Sequence, residues 1–160
     1  MASASSSPLE ISHNCKQIAV KLALPNVPST TFQLTIASGT TSEVIPITYE
    51  QGTILTYNAN LETAGVVTAT VTASTGATIA QVSTVATCQI DCCIAKLVES
   101  AITCTCKCDK CKEELDRAEK VFLLLQAAVY AAEVDGNIKD ATEKYAKANE
   151  MCTEVCACGC

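Results

Sequence analysis

Leu115-Asp-Arg-Ala118-Glu-Lys-Val121-Phe122-Leu-Leu-Leu125-Gln-Ala-Ala128-Val129-Tyr-Ala-Ala132-Glu-Val134-Asp135-Gly136-Asn137 decides how the second half of this chain folds. Leu115, Ala118, Val121, Phe122, Leu125, Ala128, Val129 and Ala132 recur at i, i+3, i+4 and i+7. That is the stripe of an amphipathic helix with one buried face. Asp109 is a candidate N-cap, so the helix is expected from 109 to about 134. Asp135-Gly136-Asn137 breaks the pattern with a tight turn, in which Gly136 can take φ > 0. Ile138, Ala141, Tyr145, Ala148 and Cys152 then mark the stripe of a further helix, from 137 to about 154. Alanines at the contacts let the two helices approach closely as an antiparallel hairpin. A shorter helix is expected before them, from Asp91 to about Thr103.

Working towards the N-terminus, the composition changes near residue 88. Residues 9–87 carry six charged side chains (Glu10, Lys16, Lys21, Glu43, Glu50 and Glu62), and all the others lie at or beyond residue 88. Every proline lies in the first half, and eleven of the twelve cysteines lie in the second, Cys15 being the exception. Such a break marks a domain boundary or a change of architecture.

The first half reads as β. Ile18, Val20, Leu22 and Leu24 alternate, as do Phe32, Leu34 and Ile36. Val-, Ile- and Thr-rich runs follow at 44–49, 53–61, 66–73 and 78–87. Turn signals at 25–28, Ser38-Gly39, Gln51-Gly52, Ala64-Gly65 and 74–76 separate them. Six or seven strands at this spacing suggest a sandwich of immunoglobulin size. The expected fold class is therefore α+β. An arm (1–8) leads into an N-terminal antiparallel β-sandwich of Ig-like architecture (9–87). A cysteine-stapled helical hairpin or three-helix module follows (88–160).

The cysteines are the strongest chemical signal. Cys104, Cys106, Cys108 and Cys111 precede the long helix, and Cys152, Cys156, Cys158 and Cys160 end the last one. Folding the hairpin back at 135–136 sets Cys160 opposite position 111, Cys156 opposite 115 and Cys152 opposite 119. The two clusters therefore share one end of the hairpin. A tetrathiolate zinc site is one reading, with Cys108-x-x-Cys111 at the usual ligand spacing. Two to four disulfides between the same ends are the other. A reducing cytosol favours the metal and an oxidising exterior the disulfides. Either clamps the open end of a short bundle. If the first helix folds back near residue 106, Cys93 lies level with position 119. A Cys92–Cys152 or Cys93–Cys152 disulfide is then geometrically open, as are buried free thiols. Cys88, at the junction of the halves, is a candidate partner for Cys15.

Other chemistry is poorly supplied. His13 is the sole histidine, so no Ser-His-Asp, Cys-His or His-Glu-x-x-His site can be built. A net charge of −6 argues against a nucleic-acid partner. The longest run of large apolar residues in the helical half, Val121–Leu125, is too short for a bilayer. No phosphate-binding glycine loop or small-molecule site is apparent. Cys108-x-x-Cys111 has the spacing of a thiol redox pair but lacks its usual strand context.

Gly136, Ala141, Tyr145 and Ala148 within residues 136–151 fall at the spacing of a tetratricopeptide-repeat second helix, which this segment resembles. The match covers about one repeat, and a lone repeat builds no solenoid. A Thr-rich β half, followed by Cys108-Asp-Lys-Cys111-Lys-Glu-Glu-Leu115, a helical hairpin and a cysteine-rich end, is similar in layout to accessory structural proteins of tailed-bacteriophage virions. That resemblance implies a non-enzymatic component of tail, neck, baseplate or capsid surface, assembled in the host cytoplasm and carried in the virion. It would assemble through its β domain with copies of itself and other virion proteins, with the helical module for docking. The alternatives are a cytoplasmic adaptor with structural zinc and a thiol redox protein.

Overall fold

The computed structural model describes residues 8–14, 16–24, 27–61, 65–103 and 109–153. The side chains of 89, 92, 100–103, 109–111 and 153 lie outside that description. Seven strands precede three helices: β1 (Leu9–Asn14), β2 (Gln17–Leu22), β3 (Thr30–Ser38), β4 (Thr41–Tyr49), β5 (Leu55–Ala59), β6 (Gly65–Ala73), β7 (Thr78–Ala86), α1 (Cys88–Thr103), α2 (Asp109–Glu133) and α3 (Ile138–Thr153). The chain divides into two compact units. One comprises 1–63 and 67–84, and the other 64–66 and 85–160.

The first unit is a two-sheet antiparallel structure, strand order β1-β2-β5 in one sheet and β4-β3-β6-β7 in the other. The chain changes sheet between β2 and β3, between β4 and β5, and between β5 and β6. This interleaved order matches an Ig-like sandwich, whose core is built by alternate side chains. Ile18, Val20 and Leu22 are fully buried in β2, as are Leu34 and Ile36 in β3 and Val67, Ala69 and Val71 in β6. Their period of two is the one legible in the sequence. Sheet register follows from it: Ile18 faces Ala59 across β2–β5, and Phe32 faces both Ile47 and Ala73. Tyr49 joins the sheets with a polar contact. Its buried hydroxyl accepts from Leu24 N–H at 3.0 Å and donates to Leu24 C=O at 2.9 Å. The Phe32 and Tyr49 rings lie 6.1 Å apart.

Several boundaries differ from the sequence reading. β1 is a full strand that the reading missed, because only Leu9 and Ile11 alternate there before His13. Pro8, assigned to the arm, instead accepts a hydrogen bond from Ala23 N–H (2.9 Å) and extends the β1–β2 ladder. Asn14 Oδ1 closes the intervening turn by accepting from Lys16 N–H and Gln17 N–H, each at 2.9 Å. The rest of the arm, 1–7, lies outside the described residues. α1 begins at Cys88, three residues before the expected Asp91. Thr87 is the cap, its carbonyl accepting from the N–H groups of Ile90 and Asp91 at 2.9 Å. The Thr87 hydroxyl donates to Asp91 Oδ2 at 2.7 Å. Asp91 therefore supports the first turn from inside the helix.

In the second unit, the core gathers Val85, Ile90, Val121, Leu125, Ala128, Ala131, Ala132, Ala141, Tyr145, Ala148 and Cys152. Gly136 has φ 63, which lets Asn137 N–H reach Ala131 C=O at 2.8 Å and close the end of α2. Asn137 then caps α3, its Oδ1 accepting from Asp140 N–H at 3.1 Å. Leu115 and Phe122, expected in the α2 stripe, are 48% and 47% exposed, and Ala131 takes a core place instead. The Val121–Leu125 run covers more than one turn, so it cannot all face one neighbour. Among the described residues, no helix is long and apolar enough to cross a membrane.

Candidate functional site in the helical unit

The α2–α3 hairpin is held by small side chains. Ala128 and Ala132 on α2, and Ala141 and Ala148 on α3, are all essentially inaccessible to solvent. Their size permits close helix packing. Across this hairpin lies α1, and a disulfide ties it to α3. Cys93 and Cys152 form a disulfide, with their Cα atoms 5.9 Å apart and 59 residues between them in sequence. Of the two pairings left open by helix geometry, the structure has the one through Cys93. Cys88 is disulfide-bonded as well.

Cys152 is one of the eight candidate metal or disulfide thiols. Its sulfur is bonded to Cys93, so it is unavailable to a tetrathiolate centre. The other seven, Cys104, Cys106, Cys108, Cys111, Cys156, Cys158 and Cys160, lie outside the described residues or have side chains that do. So do Cys15 and the Cys92 side chain. Among the described residues, no group of three or more His, Cys, Asp or Glu is arranged to hold a metal.

Tyr145 sits beside this clamp, 9% exposed. Its ring lies against Gly65, where a β-carbon would stand 3.4 Å from two ring carbons. Gly65 has φ 79, so glycine satisfies both the backbone and the close approach. The Tyr145 hydroxyl is buried and makes no hydrogen bond of ordinary geometry. Burial pushes its pKa above the usual tyrosine value; the polar Gly65 backbone nearby pulls the other way, and the Asp91 carboxylate adds to the rise. The ring fills the space between the helices and the start of β6.

The sequence reading missed the outward face of α2. Leu123 is 54% exposed, Tyr130 58% and Val134 64%. Phe122, Tyr130 and Val134 line a groove of about 440 Å³ with Thr87 and Asp91 at the start of α1. Lys120, Leu123, Leu124, Lys147 and Met151 line another of about 350 Å³ between α2 and α3. The five-residue apolar run was the available signal, since part of any such run must point away from the core. His13 lies in β1, half-buried, with its Nδ1 lacking a hydrogen-bond partner. Comparison with protein-family models and with curated protein sequences finds no match to this chain.

Proposed function

We propose that this chain is a non-enzymatic structural protein of a virion, a component of tail, neck, baseplate or capsid surface. Its β-sandwich assembles with neighbouring subunits and its disulfide-clamped helical unit docks. The observation that carries this reading is the exposed apolar face of α2 on a covalently braced unit. Large apolar side chains grouped on a surface mark protein contacts, and a brace presents them in one geometry at little ordering cost. The Cys93–Cys152 bond adds support, because disulfides persist in oxidising surroundings such as those a particle meets after lysis. The resemblance in layout to accessory phage proteins supports it too. The proposed partners are copies of the chain and other virion proteins, with no nucleic acid, membrane or small-molecule substrate.

Mass spectrometry of purified particles from the host that carries the gene tests the proposal. Peptides from both units should be recovered in a fixed ratio to the major capsid protein. Their absence from washed particles would overturn the reading. Steady turnover of a disulfide substrate by the purified protein would overturn it in favour of a redox enzyme.

A further inference from the structure

Asp135-Gly136 is the one place in this sequence where an Asp or Asn precedes a glycine. The pair lies between α2, which ends at Glu133, and α3, which begins at Ile138. Both residues are exposed, and a β-carbon on Gly136 would meet nothing within 4 Å. The neighbouring main-chain N–H groups are engaged. Those of Val134 and Asp135 donate to Tyr130 C=O at 2.9 and 3.2 Å, and that of Asn137 donates to Ala131 C=O at 2.8 Å. Gly136 N–H has no acceptor among the described residues. The Asp135 carboxyl is therefore followed by an amide nitrogen that is neither hydrogen-bonded nor shielded, in the residue type with the widest backbone freedom. The aspartates within helices differ. Asp91, Asp116 and Asp140 each precede a residue with a side chain, and the N–H after Asp140, that of Ala141, is held by Asn137 C=O at 3.0 Å.

We propose that Asp135 is a site of spontaneous backbone isomerisation to isoaspartate, and that this modification loosens the α2–α3 hairpin as the protein ages. The Gly136 nitrogen attacks Asp135 Cγ. A Cγ–N bond forms, and the carboxyl OH and the amide hydrogen leave as water, closing a five-membered succinimide. Water then adds to the main-chain carbonyl carbon of Asp135 and breaks its bond to the Gly136 nitrogen. The main chain now runs through Cβ and Cγ, and the old main-chain carbonyl is a free carboxylate. One water is lost and one regained, so mass is unchanged and no enzyme, oxidant or cofactor is consumed. The product carries one extra main-chain carbon inside a turn that the Asn137 N–H to Ala131 C=O bond must close. That bond ties off the end of α2, so lengthening the chain beneath it weakens the closure.

Prolonged warm incubation of the full-length oxidised protein in neutral buffer tests this. Samples are labelled at intervals with an isoaspartate-specific carboxyl methyltransferase and radioactive S-adenosylmethionine, then digested with trypsin. Cleavage after Lys120 and Lys139 isolates residues 121–139. Label should accumulate in that peptide, and its chromatographic peak should split without a change of mass. The rate in the folded protein should lie within several-fold of that in the free synthetic peptide 121–139. Asp135→Glu needs a less favourable six-membered ring, keeps Gly136 and should abolish the label. Incubation should lower the melting temperature of the wild type more than that of Asp135→Glu, with both proteins matched by circular dichroism at the start. A folded protein that stays unlabelled while the free peptide isomerises would overturn the proposal. So would label that persists in Asp135→Glu, or equal losses of melting temperature in the two proteins.

Discussion

At the scale of single residues, Gly136 and Tyr145 show how local chemistry constrains the helical unit. A β-carbon at Gly136 would meet nothing within 4 Å, so any cost of substitution is conformational. Gly136→Val places a β-branched residue at φ 63. It should destabilise the protein by about 1–2 kcal/mol, read as a lower melting temperature. Tyr145 behaves differently, because its hydroxyl is buried with no hydrogen bond of ordinary geometry. Tyr145→Phe removes that unsatisfied group and keeps the ring against Gly65, so it should be neutral or stabilising by about 1 kcal/mol. Its pKa is raised in the fold, so tyrosine in the unfolded chain loses its proton first as pH climbs. Stability from this group is full below pH ~10 and falls as pH rises towards the folded value. With free thiols alkylated, urea midpoints between pH 9 and 11 should fall less steeply in Tyr145→Phe than in the wild type. Equal slopes would refute the assignment.

The helices and strands were legible in the sequence to different depths. The α2–Gly136–α3 hairpin could be read because a helical stripe, a glycine turn and an Asn cap are all local signals. The strands with strict alternation, β2 and β3, were equally plain. β1 was not, because its burial is secured by pairing with β2, Leu9 opposite Leu22, rather than by a pattern of its own. The start of α1 lies earlier than expected because Thr87 caps it, while Asp91 sits inside the first turn, where a negative charge is also favoured. Helix packing raises the matter of covalent bracing. The Cys93–Cys152 bond closes a long loop, and chain-entropy arguments assign such a link about 4 kcal/mol. Cys93→Ala/Cys152→Ala should therefore lower the urea midpoint of helix unfolding, followed by circular dichroism at the helical band. A midpoint unchanged from the oxidised wild type would mean that this bond contributes nothing to the stability of the helical unit.

At the scale of the whole molecule, the question is which contacts between copies the chain permits and which it blocks. β4 is an edge of its sheet, with Val44 55% exposed. Pro46 lies in the same strand opposite Gln33. Proline offers no N–H to an incoming strand, so it discourages pairing along this edge. Pro46→Val should increase aggregation on warming, measured by light scattering, with little loss of melting temperature. Contacts between copies are thereby steered away from the β4 edge, in keeping with the proposed docking through α2.

The sequence by itself determined the order of the architecture, the alternating core of the β half and the amphipathic hairpin, and it offered Cys92 and Cys93 among several possible fates for Cys152. These follow from periodicity and turn chemistry, which act over a few residues. Only the tertiary structure decided which of Cys92 and Cys93 meets Cys152, because one residue along a helix turns the side chain by about 100°. It also decided that Phe122 and Leu115 face outward while Ala131 faces in. An apolar run longer than one helical face has no unique inside until its neighbours are packed against it.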